Sequence, residues 1–170
     1  MKKILLMALF AIVAVGASAQ KNFTVWYGAN IANLNADGSK SEFKPLNFGV
    51  AYTAPLADAF DWSAGLGYVT KGAKEWDPGF IQLEANAGWN FVSSDEAKVG
   101  LFTGPALGFM VAKDDMDDEA KTFHFGWQAG AKASWKFLSF KVGYEYGFCK
   151  ITDYDDSKPY EVFFRVGYNF

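Results

Sequence analysis

One histidine and a pair of serines are the residues of this sequence that could support acid–base or nucleophilic chemistry. His124 is the only histidine among the 170 residues, and an imidazole exchanges protons near neutral pH. A nucleophile would have to lie within hydrogen-bond reach of it, and Ser134 and Ser139 are the candidates. In the strand arrangement derived below, both serines lie far below His124. We therefore interpret His124 as a structural or solvated residue and predict no catalytic residues.

Two acidic segments could bind a divalent cation, because carboxylates are the usual ligands of calcium and magnesium. The segment 114–119 lacks the glycine and the distal glutamate of an EF-hand loop, and Lys113 and Lys121 flank it. A solvated charged loop is the better interpretation, and the same holds for the acidic residues at 153–156. The sequence predicts no metal site and no cofactor.

Cysteine content and net charge exclude several classes of protein. Cys149 is the only cysteine, so the chain forms neither an internal disulfide nor a zinc site based on cysteines. We interpret it as an unpaired small residue at a strand end. The formal net charge is −3, and it becomes −5 if a leader containing two lysines is removed. A negative chain argues against nucleic acid as a partner, since a basic surface would be expected.

The first 19 residues have the three parts of a secretory signal peptide. A pair of lysines comes first, 4–15 is apolar, and the small residues at 17–19 fit a cleavage site. The apolar part is shorter than the roughly 20 residues that a membrane-spanning helix needs. The sequence therefore predicts a signal peptide at 1–19 and one exported domain at 20–170, which contains 151 of the 170 residues.

Eight segments of the exported domain alternate apolar with polar or small residues, which is the period of a β-strand. In the clearest of them, Ile81 and Leu83 alternate with Gln82 and Glu84. Successive strand residues point to opposite faces, so each strand has one apolar face and one polar face. The predicted strands span 23–31, 46–52, 62–70, 81–91, 99–111, 123–137, 140–148 and 162–170.

The connections between these strands alternate between long and short. Short turns are predicted at 54–56, 93–96 and 138–139, and the other four connections are longer. Bacterial outer-membrane barrels have this arrangement, with long loops outside and short turns in the periplasm. Pro105 lies within the fifth strand and predicts a bulge or weak pairing there, because proline donates no ladder hydrogen bond.

Glycine and aromatic residues are sorted in a way that identifies the inner and outer faces. Of the 17 glycines, 13 lie in predicted strands, all on the polar face. The lumen of an eight-stranded barrel is so narrow that some inward residues must be tiny. On the apolar face, aromatics such as Trp62 and Trp135 gather near the short turns, while small residues such as Ala64 and Ala131 lie near the middle. That order is typical of an aromatic girdle at a membrane interface.

The last strand carries a family resemblance. Phe164, Val166, Tyr168 and Phe170 share its apolar face, and the chain ends on that phenylalanine. The strand resembles the terminal strand of Gram-negative outer-membrane β-barrels, and the whole domain resembles the small OmpA/OmpX type. The resemblance implies an all-β, eight-stranded antiparallel up-and-down transmembrane barrel in the outer membrane, surrounded by lipid. It also implies that the barrel-insertion machinery reads these four residues as an assembly signal.

Four charged residues on the inward face predict an ion cluster in the lumen. A turn at 138–139 would place Lys132 opposite Glu145, and Arg165 would lie on the other side of Glu145. Glu84, from the fourth strand, would reach the spare positive charge. Buried charges persist only when they are paired, so this cluster predicts a plug that blocks ion flow.

We predict a monomeric, non-enzymatic barrel with a filled lumen and a structural or surface-interaction role through acidic outer loops. Trp26 and Phe102 also point inward, and lumen packing is favoured over a ligand cavity because eight strands leave little space. Two alternatives stay open. Some barrels of the resembling type modify lipid A with a histidine, a serine and an acid, which would involve His124. A soluble secreted lipocalin-like binder would instead turn the apolar faces inward.

Overall fold

The computed structural model describes residues 22–35, 39–74, 77–94, 96–112, 121–150 and 158–170. The predicted signal peptide at 1–19 and the acidic segments at 114–119 and 153–156 lie outside these ranges. Within them, no helix is long and apolar enough to cross a membrane. The strands are β1 (Phe23–Leu34), β2 (Glu42–Ala57), β3 (Phe60–Thr70), β4 (Gly79–Ser93), β5 (Ala97–Ala112), β6 (Phe123–Trp135), β7 (Leu138–Gly147) and β8 (Pro159–Asn169).

The sheet closes on itself. Each strand pairs antiparallel with its neighbours in sequence, and β1 also pairs with β8. Eleven residue pairs join these two terminal strands, and the Phe170 N–H donates to the Phe23 carbonyl oxygen at 2.9 Å. Closure leaves no strand edge unpaired. The predicted eight-stranded up-and-down barrel is confirmed.

The two ends of the barrel differ in the length of their connections. We call one the turn end, where strands are joined at 58–59, 94–96 and 136–137, and the other the loop end, which carries the four longer connections. The turn predicted at 54–56 is wrong, because β2 continues past it and Pro55 pairs with Asp61. Pro105 causes no bulge, since it lies opposite Trp127 in an unshifted ladder. The predicted weak pairing is found on its other side, where the β4–β5 pairs stop at Glu84–Ala106 and resume at Ala87–Thr103.

The turn between β6 and β7 also differs from the prediction of 138–139. It is formed by Lys136 and Phe137, and Lys136 has a positive φ of 52°. This tighter placement pairs Trp135 with Leu138 and brings Lys132 opposite Lys141. The predicted pairing of Lys132 with Glu145 is therefore wrong, and Glu145 lies opposite Gln128 instead.

The inward and outward faces follow the predicted alternation. In β5, Phe102 and Ala106 are buried in the lumen, whereas Leu101, Leu107 and Phe109 are exposed on the outside. An outer surface made of large apolar side chains suits lipid and not water. This excludes the lipocalin-like alternative, which needs the opposite arrangement.

Aromatic side chains gather in groups on the outside of the turn end. The Tyr52 ring lies 5.3 Å from that of Phe23 and 5.7 Å from that of Trp62. On the opposite side of the β1–β8 seam, the rings of Phe137 and Tyr168 are 5.5 Å apart. These neighbouring rings form the aromatic girdle that the sequence predicts.

Glycines allow large side chains to fill the lumen. A Cβ atom on Gly143 would lie 2.6 Å from Cζ of Phe163 and 2.9 Å from Cζ of Phe102. Their two rings, from β8 and β5, meet in the lumen with centroids 6.2 Å apart. The lack of a side chain at Gly143 therefore lets the rings of Phe163 and Phe102 pack together in the lumen.

Candidate functional site

The lumen at the loop end is filled by buried polar residues around Lys71, which we call the Lys71 network. Lys71 follows β3 on its inward side, and its Nζ donates to Glu145 Oε1 at 2.7 Å and to Glu161 Oε1 at 3.0 Å. Gln82 Nε2 donates to Glu145 Oε2 at 3.0 Å, and Asn30 Nδ2 donates to Glu161. The network thus ties β1, β4, β7 and β8 together across the lumen.

Burial in the Lys71 network is nearly complete. The Lys71 side chain is 2% exposed and that of Glu145 is 1% exposed. Lys71 lies in the connection after β3, outside the spanning strands. Burial alone would lower its pKa, but Glu145 and Glu161 raise its pKa above the ordinary value of 10.5. Lys71 is therefore a charged crosslink at physiological pH.

His124 belongs to the Lys71 network and is not paired with a serine nucleophile. Its Nε2 lies 2.8 Å from Glu145 Oε1, and its ring packs edge-on against Phe80 with centroids 6.1 Å apart. Ser134 lies ten residues further along β6, or roughly 33 Å at the rise of a strand. Ser139 pairs with Ser134 at the turn end. Neither serine is within reach of the imidazole.

A second set of charges lies near the middle of the lumen, and we call it the Glu84 network. Glu84 accepts hydrogen bonds from Arg165 Nη1 at 2.7 Å, Lys141 Nζ at 3.2 Å and Gln128 Nε2 at 3.2 Å. One carboxylate therefore serves two cations. Both cations also rest on aromatic rings: Arg165 lies 4.2 Å from the Trp26 centroid, and Lys141 Nζ lies 4.1 Å from that of Phe102.

A third contact, the Asp61–Lys132 pair, lies nearest to the turn end. Lys132 Nζ is 2.5 Å from both Asp61 carboxylate oxygens. Asn90 Nδ2 donates to Asp61 Oδ2 at 2.8 Å. The Lys132 side chain is 21% exposed, so this pair is the wettest of the three groups.

A cavity of about 580 Å³ occupies the lumen at the turn end. The Glu84 network closes it on one side, and the Asp61–Lys132 pair lies on its wall. Trp26, Phe102 and Asn86 also line it. The sequence analysis favoured lumen packing over a cavity for Trp26 and Phe102, whereas in the structure both residues line this cavity.

The family follows from comparison with known proteins. The family model for the outer membrane protein beta-barrel domain matches residues 4–170. The chain belongs to this family. It is an outer-membrane protein, and long outer loops with short periplasmic turns orient its loop end outward. A comparison with curated protein sequences found no significant match.

Solved structures share the fold of this outer-membrane barrel. Neisserial surface protein A (NspA) superimposes with a TM-score of 0.57 at 16% identity, covering 87% of this chain and 97% of that one. The outer membrane enzyme PagL gives 0.53 at 12% identity, over 84% and 97%. The attachment invasion locus protein Ail of Yersinia pestis, solved with the heparin analogue sucrose octasulfate, gives 0.50 at 17%, over 89% and 100%. One fold thus serves a surface protein, an attachment protein and an enzyme.

The predicted ion cluster is divided in this outer-membrane barrel. Glu84 and Arg165 are in contact, but Lys132 pairs with Asp61 and Glu145 pairs with Lys71. The cause is the turn at 136–137, which moves Lys132 away from Glu145. All four predicted residues point into the lumen, where they belong to three separate groups.

Sequence reasoning missed Lys71, Asp61 and Glu161. Each lies one residue beyond a predicted strand end, at 71, 61 and 161, and on the inward parity of that strand. The signal was present: continuing the alternation by one residue past the predicted strand end would have placed all three in the lumen. Lys141 was also missed, although its inward position inside the predicted strand 140–148 was evident.

The residues predicted as an assembly signal lie at the outside of the last strand. Phe164, Val166 and Tyr168 are exposed on the lipid face of β8. Phe170 follows the strand, and its ring lies 5.0 Å from that of Tyr168. These residues form a continuous apolar ridge that ends in the girdle.

Metal binding has no candidate in the part of the chain that the structure describes, where no group of three His, Cys, Asp or Glu side chains is placed to hold an ion. Cys149 lies just after β7 and is partly exposed. The acidic segment 114–119, which the sequence analysis considered for cation binding, lies outside that part.

Proposed function

We propose that this outer-membrane barrel is closed to ions and acts as a scaffold that holds its acidic loops at the cell surface. The Lys71 network carries the proposal. It crosses the lumen at the loop end with charged side chains that are bonded to one another and almost fully buried. Ions passing the barrel would have to break these contacts, and separating a buried ion pair is costly.

Conductance in planar bilayers tests the closed lumen. We expect no steady single-channel current from the parent. The double variant Lys71→Ala with Glu145→Ala removes the centre of the network and should conduct. The matched double variant Asp61→Ala with Lys132→Ala empties the turn end and should stay closed. A parent that conducts as much as the first double variant would disprove a closed lumen.

The surface role rests on the loops and needs a cellular experiment. Changing the aspartates at 114–118 to asparagine removes the acidic character of one long loop without altering its length. We expect fewer proteins or lipids to be captured by surface cross-linking and mass spectrometry, because the charge that attracts a partner is gone. Asp58→Asn, in a periplasmic turn, is the matched control and should change nothing. Equal capture by the loop variant and the parent would contradict this role.

The enzyme alternative depends on His124. A group that modifies membrane lipid must reach the lipid, whereas His124 is fully buried in the lumen and bonded to Glu145. We therefore propose a non-enzymatic protein without a cofactor. Lipid A from cells with the parent, with His124→Gln and without the protein should have the same mass spectrum. A mass shift that requires His124 would favour the enzyme.

The terminal strand serves assembly in this proposal. The exposed ridge of Phe164, Val166, Tyr168 and Phe170 is placed where an insertion factor could bind it before lipid does. Deleting Phe170 should lower the amount of heat-modifiable, inserted barrel at an unchanged transcript level. The control Phe109→Ala removes an exposed aromatic from β5 and should insert normally. Once inserted, the barrel is proposed to be a monomer surrounded by outer-membrane lipid.

A further inference from the structure

We propose that the cavity at the turn end is a binding site for a small oxyanion that carries carboxylate or phosphate groups and enters from the periplasm. Its volume of about 580 Å³ lies within the range of roughly 300–1,000 Å³ that ligand pockets occupy. It opens between the short turns, at the end opposite to the surface loops. This site is separate from the proposed surface role.

Charge around the cavity is unbalanced. Five cations line it, namely Lys98, Lys132, Lys136, Lys141 and Arg165, and three side-chain carboxylates do, namely Asp61, Glu84 and Glu96. Asp61 is bonded to Lys132 and Glu96 lies 3.8 Å from Lys136, so Glu84 alone serves both Lys141 and Arg165. A charge that is buried or half-buried is stable only with a counterion. An anion in the cavity would supply the missing one.

Of the two cations that share Glu84, Lys141 is the one that lacks a full partner. Glu145 and Glu161, the other buried carboxylates of the lumen, are bonded to Lys71 in the Lys71 network. Arg165 is the second inward-facing residue after Glu161 on β8, which separates it from the Lys71 network. Lys141 holds only the longer 3.2 Å contact to Glu84, and its side chain is 19% exposed. Lys141 thus lines the cavity with part of its side chain exposed.

An unpaired amide marks the same place. Asn86 lies on the cavity wall and is buried, yet neither its Nδ2 nor its Oδ1 has a hydrogen-bond partner among the described residues. It is the inward residue between Glu84 and Gly88, and the Lys132 ammonium group lies over Gly88. Asn86 therefore lies between Lys132 on one side and the two cations bonded to Glu84 on the other. Buried polar atoms are normally satisfied, and a donor at this point suits an oxyanion.

Aromatic rings complete the site. Trp26 and Phe102 form apolar walls on which the Arg165 and Lys141 cations rest. These stacked cations are held in place before a ligand arrives, so little ordering is required on binding. A ligand with a compact apolar part and one or two oxyanion groups fits this combination of walls and charges.

Isothermal titration calorimetry of the full chain, folded in a neutral detergent and a buffer free of oxyanions, tests the site. The probes are citrate, inorganic phosphate and uncharged glucose. We expect citrate or phosphate to bind and glucose not to bind, and which anion gives heat identifies the preferred group. Absence of binding by both anions overturns the proposal.

Two variants separate the cavity from a general charge effect. Lys141→Met should weaken anion binding roughly tenfold or more, because it removes a charged partner, while Lys40→Met at the loop end should leave it unchanged. Asn86→Asp places a carboxylate in the cavity, so it should abolish anion binding and raise the thermal midpoint. Because Asn86→Asp adds a counterion to a cationic site, it keeps the test valid if Lys141→Met fails to fold. Binding by Asn86→Asp at the parent's affinity overturns the proposal.

Discussion

The two halves of the lumen are built from the same eight strands, yet one is filled and the other is open. At the loop end, the Lys71 network leaves its charged side chains 1–3% exposed. At the turn end, a cavity of about 580 Å³ remains, and Lys132 is 21% exposed. Strand number sets the diameter of a barrel. The contrast shows that diameter alone does not determine whether the lumen is closed.

The difference lies in the sizes of the inward side chains. The loop end has large inward residues, namely Phe80, Gln82, Met110, His124, Glu145 and Glu161. The turn end has mostly small ones, namely Thr24, Ala51, Thr53, Ser63, Gly88, Ser134, Ser139 and Gly167. Lys71 adds a further large side chain from a connection, and it is 2% exposed. Closure is thus a property of side-chain volume, which each half sets independently.

Removing a carboxylate from each half should give the largest contrast. Glu145→Ala removes the nearer of the two carboxylates bonded to the buried Lys71 and leaves Gln82 and His124 without this partner, so it should cost roughly 3–5 kcal/mol of unfolding free energy. Asp61→Ala, the matched variant at the turn end, should cost less than half as much, because Lys132 reaches water in the cavity. Urea unfolding in lipid vesicles, followed by tryptophan fluorescence, measures both. Equal losses of unfolding free energy in the two variants would mean that water is excluded equally from the two halves.

The comparison of the two halves assumes that the inward and outward faces are assigned correctly. A charge introduced on the lipid side tests this assumption. Ala131 is an exposed residue of β6. Ala131→Arg should cost roughly 2–4 kcal/mol in a bilayer, the price of a cation on the lipid face near the midplane. Ala131→Leu is the matched control and should fold like the parent. Unchanged stability of the arginine variant in the same urea assay would reverse the assignment.

Glycine substitutions compare the space available in the two parts of the lumen. Gly143→Ala should cost roughly 1–3 kcal/mol by overpacking, because the new Cβ meets the rings of Phe163 and Phe102. Gly88→Ala should cost less, since its new Cβ meets the ends of two side chains beside the cavity, the Lys132 ammonium and the Asp61 carboxylate, instead of two packed rings. Urea midpoints of the two variants provide the test. A larger loss for Gly88→Ala would show that the turn end is the tighter half.

Double-mutant cycles should show that the charged groups are energetically separate. Glu145→Gln with Lys71→Gln should give a coupling of about 0.5–3 kcal/mol, because the two side chains are in contact. Glu145→Gln with Lys132→Gln should be additive within about 0.3–0.5 kcal/mol, because these residues belong to different halves. Coupling in the second cycle would join the halves into one network.

Alternation predicted the faces of the strands, but it could not fix their register. Turns at 138–139 and at 136–137 both keep Trp135 and Phe140 outward, because the two registers differ by an even number of residues. The inward positions of Lys132 and Glu145 were therefore predictable, whereas their partners were not. Lys136 has a positive φ in the observed turn. The sequence has no glycine or asparagine there that would have predicted such a turn.

The open half could not be predicted for a related reason. Its volume depends on where long inward side chains end in three dimensions, and alternation states only which way they point. Asp61 and Lys71 also lie just outside the predicted strand 62–70, where hydrophobic periodicity was not extended to them. Length, charge and alternation thus predict the barrel, while the contents of its lumen depend on register and side-chain reach.

The pairing of β1 with β8 has a consequence for the timing of folding. The eleven pairs between these strands join residues 24–34 to residues 159–169. Contacts between such distant parts of a chain slow folding, since the intervening loop must be closed first. The earliest strand to leave the inner membrane must therefore wait, without its partner, until the last has been translocated. During that interval its apolar face stays exposed, and exposed apolar surface makes an incompletely folded chain prone to aggregation.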